Sequence, residues 1–238
     1  MRDLAESLQV SESTIRRDLD LLDRNGELTR TYGGAVLRPG ATVTDSGDPL
    51  QRERPFAADA GLELKQRVAE RGAALVPDES VVLLDIGTTT PLVARRLRGR
   101  PVTVITSNLA VLDELRDDEC VRLVMLGGVF RRNYRSFVGS LTQSALTQVS
   151  ADVLFLSCTG VRPSGHVVDN MAVEAPIKQA MIAAADRIVL LATELKFPGT
   201  GALRLCGLAD VDSVVTTAGA NPKTLELCRQ AGGQVIIA

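Results

Sequence analysis

The stretch "SVVLLDIGTTTPLVARRL", residues 80–97, decides how the chain reads. Val81 to Leu84 form an unbroken run of β-branched and aliphatic residues, which suits a strand buried on both faces. Asp85 ends the run, Gly87 permits a tight turn, and three threonines lead into "TPLVARRL", residues 90–97, which has helical character. Pro91 fits the first turn of that helix, where a missing backbone N–H costs nothing. Buried strand, glycine turn and helix in that order make one unit of a parallel α/β sheet.

The same alternation continues on the C-terminal side. "PVTVIT" (101–106), "VRLVML" (121–126), "DVLFLS" (152–157), "RIVLLAT" (187–193), "DSVVTT" (212–217) and "GQVIIA" (233–238) read as further buried strands. Helices are expected over 56–76, 108–115, 140–148, 172–185 and 222–231. The prediction is an α/β domain over 56–238, a mostly parallel sheet flanked by helices. Right-handed crossovers then gather the loops that follow the strands at one edge, where ligands bind.

Those loops supply the candidate site. In Gly87-Thr88-Thr89-Thr90 the hydroxyls and the free N–H groups of a helix start converge on one point, which makes an anion site suited to phosphate. A plainer reading is that Thr88 or Thr89 only caps the helix. The spacing is neither a P-loop nor G-x-G-x-x-G. Equivalent positions are Ser107 and Asn108, Gly127 and Gly128, Gly160, and Lys196 in "ATELKF". "DNMAVEAPIKQAM" (169–181) carries Asp169 and sets Glu174 four residues ahead of Lys178 on a helix, a spacing that also fits a surface ion pair. Arginine occurs 23 times and lysine only four, at 65, 178, 196 and 223. Where arginine is so favoured, a retained lysine points to a place that needs a compact ammonium.

The N-terminal part has a different texture. "LAESLQVSESTIRRDLDLLDRNGELTRTYGGAVL" (4–37) reads as two short helices, a turn and a hairpin. Ser11 caps the second helix, while Ile15, Leu19 and Leu22 form its buried stripe. Ser13, Thr14, Arg16 and Arg17 then lie exposed near its start, the part of a helix-turn-helix that meets base edges. Gly26 ends the helix, and Gly33-Gly34 turns a wing that carries Arg30. Residues 1–38 hold six arginines against seven acids, so charge alone does not separate this from a plain helix pair. Residues 39–55, rich in Pro, Gly, Ser, Thr and Asp, read as a linker.

Composition narrows the classes. The chain has 238 residues, 45% hydrophobic and 24% charged, with net charge −2, so any DNA contact must come from a local patch. Four scattered cysteines and a single histidine, His166, give no disulfide framework, no metal site and no cofactor motif. No apolar run approaches a membrane span, and residues 1–15 lack a signal-peptide core.

The string "VSESTIRRDLDLL" with "RTYGGAV" resembles the reading head of DeoR-type bacterial transcriptional regulators. Lys65, Asp85 to Thr89, Thr106 to Asn108, Gly127-Gly128, Gly160, Asn170 to Met181 and Lys196-Phe197 match that family's C-terminal domain. The resemblance implies a winged helix-turn-helix ahead of a domain similar to ribose-5-phosphate isomerase and glucosamine-6-phosphate deaminase. It implies a phosphate cradle at Thr88 and Thr89, with Lys65 and Lys196 nearby. It also implies a helix ahead of Leu4, so the head as given is expected to lack its first helix. The expectation is a cytoplasmic repressor of sugar-metabolism genes, a homo-oligomer that binds operator DNA under control of a phosphorylated sugar. The alternative is a sugar-phosphate isomerase or deaminase with Asp85, Asp169 and Glu174 as acid or base. That alternative gives Arg16, Arg17 and the wing no task.

Overall fold

The computed structural model describes residues 11–15, 17, 19, 28–31, 34–37 and 61–238, with backbone alone for 28–31 and 34–37. The chain divides into two compact units, 1–49 and 50–238. Met1 to Val10, Arg16, the Arg30 side chain and the expected linker lie outside the described residues.

In the first unit, residues 12–15, 17 and 19 are helical. Ser11 caps this turn: its Oγ accepts the Thr14 N–H at 3.2 Å, and its carbonyl accepts from Thr14 and Ile15. Ile15 is buried, while Ser13, Thr14 and Arg17 are exposed, as the apolar spacing requires. Strands β1 (Leu28–Thr31) and β2 (Gly34–Leu37) pair antiparallel with Thr31 opposite Gly34, which gives the expected hairpin.

The second unit is built on a seven-stranded, wholly parallel sheet. Its strands are β3 (Val81–Leu84), β4 (Thr103–Thr106), β5 (Arg122–Met125), β8 (Ala151–Leu156), β11 (Ala185–Leu191), β13 (Ser213–Thr216) and β14 (Gln234–Ile237), in the order β14-β13-β11-β8-β3-β4-β5. Every one of the seven expected strands is present. Side chains alternate across the sheet, as strand geometry dictates. Val82, Leu84, Val104, Val153, Phe155 and Val189 join one core with α1 (Leu62–Ala73), α2 (Thr90–Leu97) and α3 (Leu109–Leu115). Leu83, Ile105, Leu154, Leu156 and Leu190 join the other with α4 (Ser140–Leu146), α5 (Ala175–Ala183) and α6 (Pro222–Gln230). Since both faces are covered, these strands read as continuous apolar runs.

Two small antiparallel pieces have no counterpart among the expected strands. Strands β6 (Val129–Arg131) and β7 (Ser136–Val138) form a hairpin. Strands β9 (Gly160–Val161), β10 (His166–Asp169) and β12 (Leu203–Gly207) form a three-stranded sheet. They run two to five residues and show no sustained alternation, so periodicity cannot reveal them. Both lie at the C-terminal edge of the main sheet. There β10 delivers Asp169, and β6 delivers Arg131.

Candidate functional site

The strand ends β3 and β8 lie side by side, with Leu84 opposite Phe155 in the register. Asp85 and Ser157 are the first residues beyond the ends of these two strands. Asp85 Oδ1 accepts the Ile86 N–H at 2.7 Å. Its Oδ2 accepts the N–H and the hydroxyl of Ser157, at 2.9 and 2.7 Å, and Lys178 Nζ at 2.7 Å. Lys178 projects from the second turn of α5 and also donates to the Ser157 carbonyl and hydroxyl, at 3.0 and 2.9 Å. Asp169 Oδ2 lies 3.3 Å from the same nitrogen. All three charged side chains are at most 1% exposed. Burial works against the charged lysine, but the Asp85 and Asp169 carboxylates outweigh it and hold the ammonium above the ordinary lysine range.

Around this cluster is a cavity of about 320 Å³. Lys65, Gly87, Thr88, Thr89, Asp169, Lys178 and Lys196 all line it, so seven of the expected site residues meet in one place. The size sits at the small end of the roughly 300–1,000 Å³ typical of ligand pockets and suits a monosaccharide rather than a dinucleotide. Gly87 has φ 141°, and a Cβ there would come within 3.2 Å of the Ser157 side chain. The glycine therefore lets the threonine loop lie against the Asp85–Ser157 network. Thr89 occupies the N-cap of α2 without a side-chain cap bond, so the simple capping reading of the threonines fails.

Other expected residues turn out to support the chain. Thr90 is fully buried and donates to the Asp85 carbonyl at 2.7 Å, which places it behind the loop. Asn108 caps α3 through the Ala110 N–H and donates to the Gly87 carbonyl at 3.3 Å, while Ser107 is buried beside it. Gly127 accepts from the Thr142 hydroxyl, and a Cβ on Gly128 would stand 2.6 Å from the Val138 carbonyl. Gly160 packs on Gly199, whose Cα would be 2.4 Å from an added Cβ. At Gly128 and Gly160 the close approach is made by the chain itself.

The alternative reading of Glu174 and Lys178 as a surface ion pair does not hold. Both are buried, and each has a different partner. Glu174 occupies the N-cap position of α5 without a side-chain cap bond and pairs with Arg131, while its Oε1 also accepts from Ser136 Oγ at 3.0 Å. Burial pushes the Glu174 carboxyl up, against the pull of Arg131. Arg131 stacks over the Tyr134 ring with its guanidinium carbon 4.1 Å from the centroid. Helical spacing puts 174 and 178 on one helix face, but it cannot show which partners cover that face. Ser157 and Arg131 were missed. Ser157 carries the same signal as Asp85, a polar residue closing a buried run. Nothing in "VFRRN" separates Arg131 from Arg132.

Cys158 also lines the cavity, and burial pushes its thiol up to about 11, so it stays protonated near neutrality. Among the described residues, no group of three or more His, Cys, Asp or Glu is placed to hold a metal ion. None of the described helices is long and apolar enough to cross a membrane.

Residues 61–218 match the DeoR C-terminal sensor domain, and residues 1–39 match the DeoR-like helix-turn-helix domain. The chain belongs to the DeoR family. Relatives in this family include the transcriptional repressor AccR of Agrobacterium fabrum, 32% identical over 91% of this chain and 82% of that one. The glycerol-3-phosphate regulon repressor of Haemophilus influenzae is 30% identical over 90% and 81%. The L-fucose operon activator of the same organism is 28% identical over 96% and 89%. Among solved structures, ribose-5-phosphate isomerase A of Methanocaldococcus jannaschii is similar at TM-score 0.42 and 20% identity, covering 56% of this chain and 53% of that one. The family assignment makes the chain a transcriptional regulator and sets aside the isomerase or deaminase alternative.

Lys178→Met tests the cluster. Removing the ammonium leaves two buried carboxylates facing each other, and breaking such a pair costs about 3–5 kcal/mol. Urea unfolding at pH 8 measures the loss. A variant as stable as wild type at pH 8 contradicts the ion-pair account.

Proposed function

We propose that this DeoR-family regulator binds operator DNA through the 1–38 head and senses a phosphorylated sugar in the cavity around Lys178. In this reading it is a cytoplasmic homo-oligomer that represses sugar-metabolism genes until the effector binds. The observation that carries it is the cavity lining. Lys65 and Lys196 border the same 320 Å³ space as the Gly87–Thr89 loop at the start of α2. Backbone N–H groups, uncommitted threonine hydroxyls and two ammonium groups suit a phosphate. The names of relatives such as the glycerol-3-phosphate regulon repressor agree with a small phosphorylated effector. The effector can shift the regulator only by binding its DNA-competent and DNA-released states unequally.

A phosphosugar at 100 times its dissociation constant should stabilise the protein by about 2.7 kcal/mol, whereas the unphosphorylated sugar should do far less. Thr88→Val and Lys196→Ala should each weaken the phosphosugar by about 1.5–3 kcal/mol, the worth of a hydrogen bond to a charged group. The melting temperature of the free protein should hardly change. Melting curves with a millimolar panel of sugar phosphates decide this, and a wild type that no phosphosugar shifts would end the reading.

The head has its own test. Arg17 is exposed on the helix that follows Ser11. Arg17→Ala should cost about 1–3 kcal/mol in binding to the promoter fragment of its own gene if it pairs with a base. A loss that is equal on all sequences would make it a phosphate contact, and unchanged affinity would remove it from the interface.

A further inference from the structure

The cavity contains a buried acceptor that the folded chain leaves without a hydrogen bond. Asp169 is fully buried and lines the cavity beside Thr159 and Met171. Its Oδ1 accepts the N–H groups of Asn170 and Met171, at 2.7 and 3.0 Å. Its Oδ2 accepts none. Lys178 Nζ is only 3.3 Å away, but it has three N–H bonds, and these go to Asp85 Oδ2, the Ser157 carbonyl and Ser157 Oγ. Asp169 Oδ2 therefore has a neighbouring charge and no proton directed at it. Two carboxylates share this one ammonium, so the buried cluster keeps an excess negative charge. Buried acceptors in folded proteins are almost always bonded, and an exception inside a ligand cavity calls for a donor from outside.

We propose that the ligand supplies that donor, a sugar hydroxyl or amino group directed at Asp169 Oδ2. Asp169 then distinguishes a phosphosugar from phosphate alone. This rests on the sensor reading above and adds the part of the ligand beyond its phosphate. The threonine loop with Lys65 and Lys196 takes the anion, and Asp169 reads the carbon skeleton attached to it. A site built to bond a polar group rejects an analogue that lacks it far more strongly than an apolar pocket rejects a missing methylene.

Calorimetric titration of wild type and Asp169→Asn with inorganic phosphate, and with pentose, hexose and 2-amino-hexose phosphates, tests the inference. Asparagine keeps the oxygen that holds Asn170 and Met171 and turns the other acceptor into a donor. Wild type should bind at least one phosphosugar more tightly than inorganic phosphate. Asp169→Asn should weaken that phosphosugar tenfold or more and leave inorganic phosphate within twofold or tighter. Retained phosphate binding also shows that the cavity is still folded. A larger loss for the amino sugar than for its hydroxyl counterpart identifies an ammonium as the donor, and an equal loss identifies a hydroxyl. Parallel weakening of both ligand types, or of neither, overturns the inference. Equal wild-type affinity for phosphate and every phosphosugar overturns it too, yet leaves the anion site standing. A wild type that binds neither overturns the sensor reading and this inference with it.

Discussion

The Lys178–Asp85 ion pair is the constraint on which the sensor unit depends. It joins a helix on one face of the sheet to the ends of two adjacent strands. At 2.7 Å and an effective dielectric of about 20, the attraction amounts to roughly 6 kcal/mol. Taking each charge out of water costs several kcal/mol, so the net contribution to stability is small. What the pair provides is position. With the Lys178 donors shared between Asp85 and Ser157, the lysine fixes α5 against β3 and β8.

Two further segments are placed from there. Asp169 approaches Lys178 from β10, and its Oδ1 folds the following loop back over Asn170 and Met171. That loop ends at Glu174, whose buried pair with Arg131 ties the β6–β7 hairpin to the start of α5. On the other side, Thr90 and Asn108 hold the Gly87–Thr89 loop from behind through backbone carbonyls. The cavity wall is therefore made of short loops, each fixed by a buried polar contact, and a ligand would meet groups that are already oriented. Such preorganisation lowers the ordering cost of binding.

The parallel sheet was legible because both its faces are buried. Runs such as Val81 to Leu84 and Leu154 to Leu156 are apolar without interruption, and the residue that closes each run marks the edge where the cavity lies. Asp85, Gly87, Thr88 and Thr89 could be found in that way. So could Lys178 and Lys196, by the scarcity of lysine. The partners could not. Helical spacing suggested that Glu174 meets Lys178, but the sheet edge supplies a carboxylate to the lysine and an arginine to the glutamate. Those contacts join residues 93 and 43 positions apart, and local pattern says nothing about such separations. Gly128 and Gly160 stand at strand ends for a related reason: each lets another part of the chain come close.

The central claim is that the effector occupies the cavity between Lys178, Asp169 and the threonine loop. Amide NMR of the isotope-labelled protein, titrated with the phosphosugar that stabilises it best, tests this most directly. The largest shifts are expected at Gly87, Thr88, Thr89, Ser157 and Asn170, saturating together with one dissociation constant. Largest shifts instead around the separate recess lined by Ser164, His166 and Arg204, with the threonine loop unmoved, would contradict it.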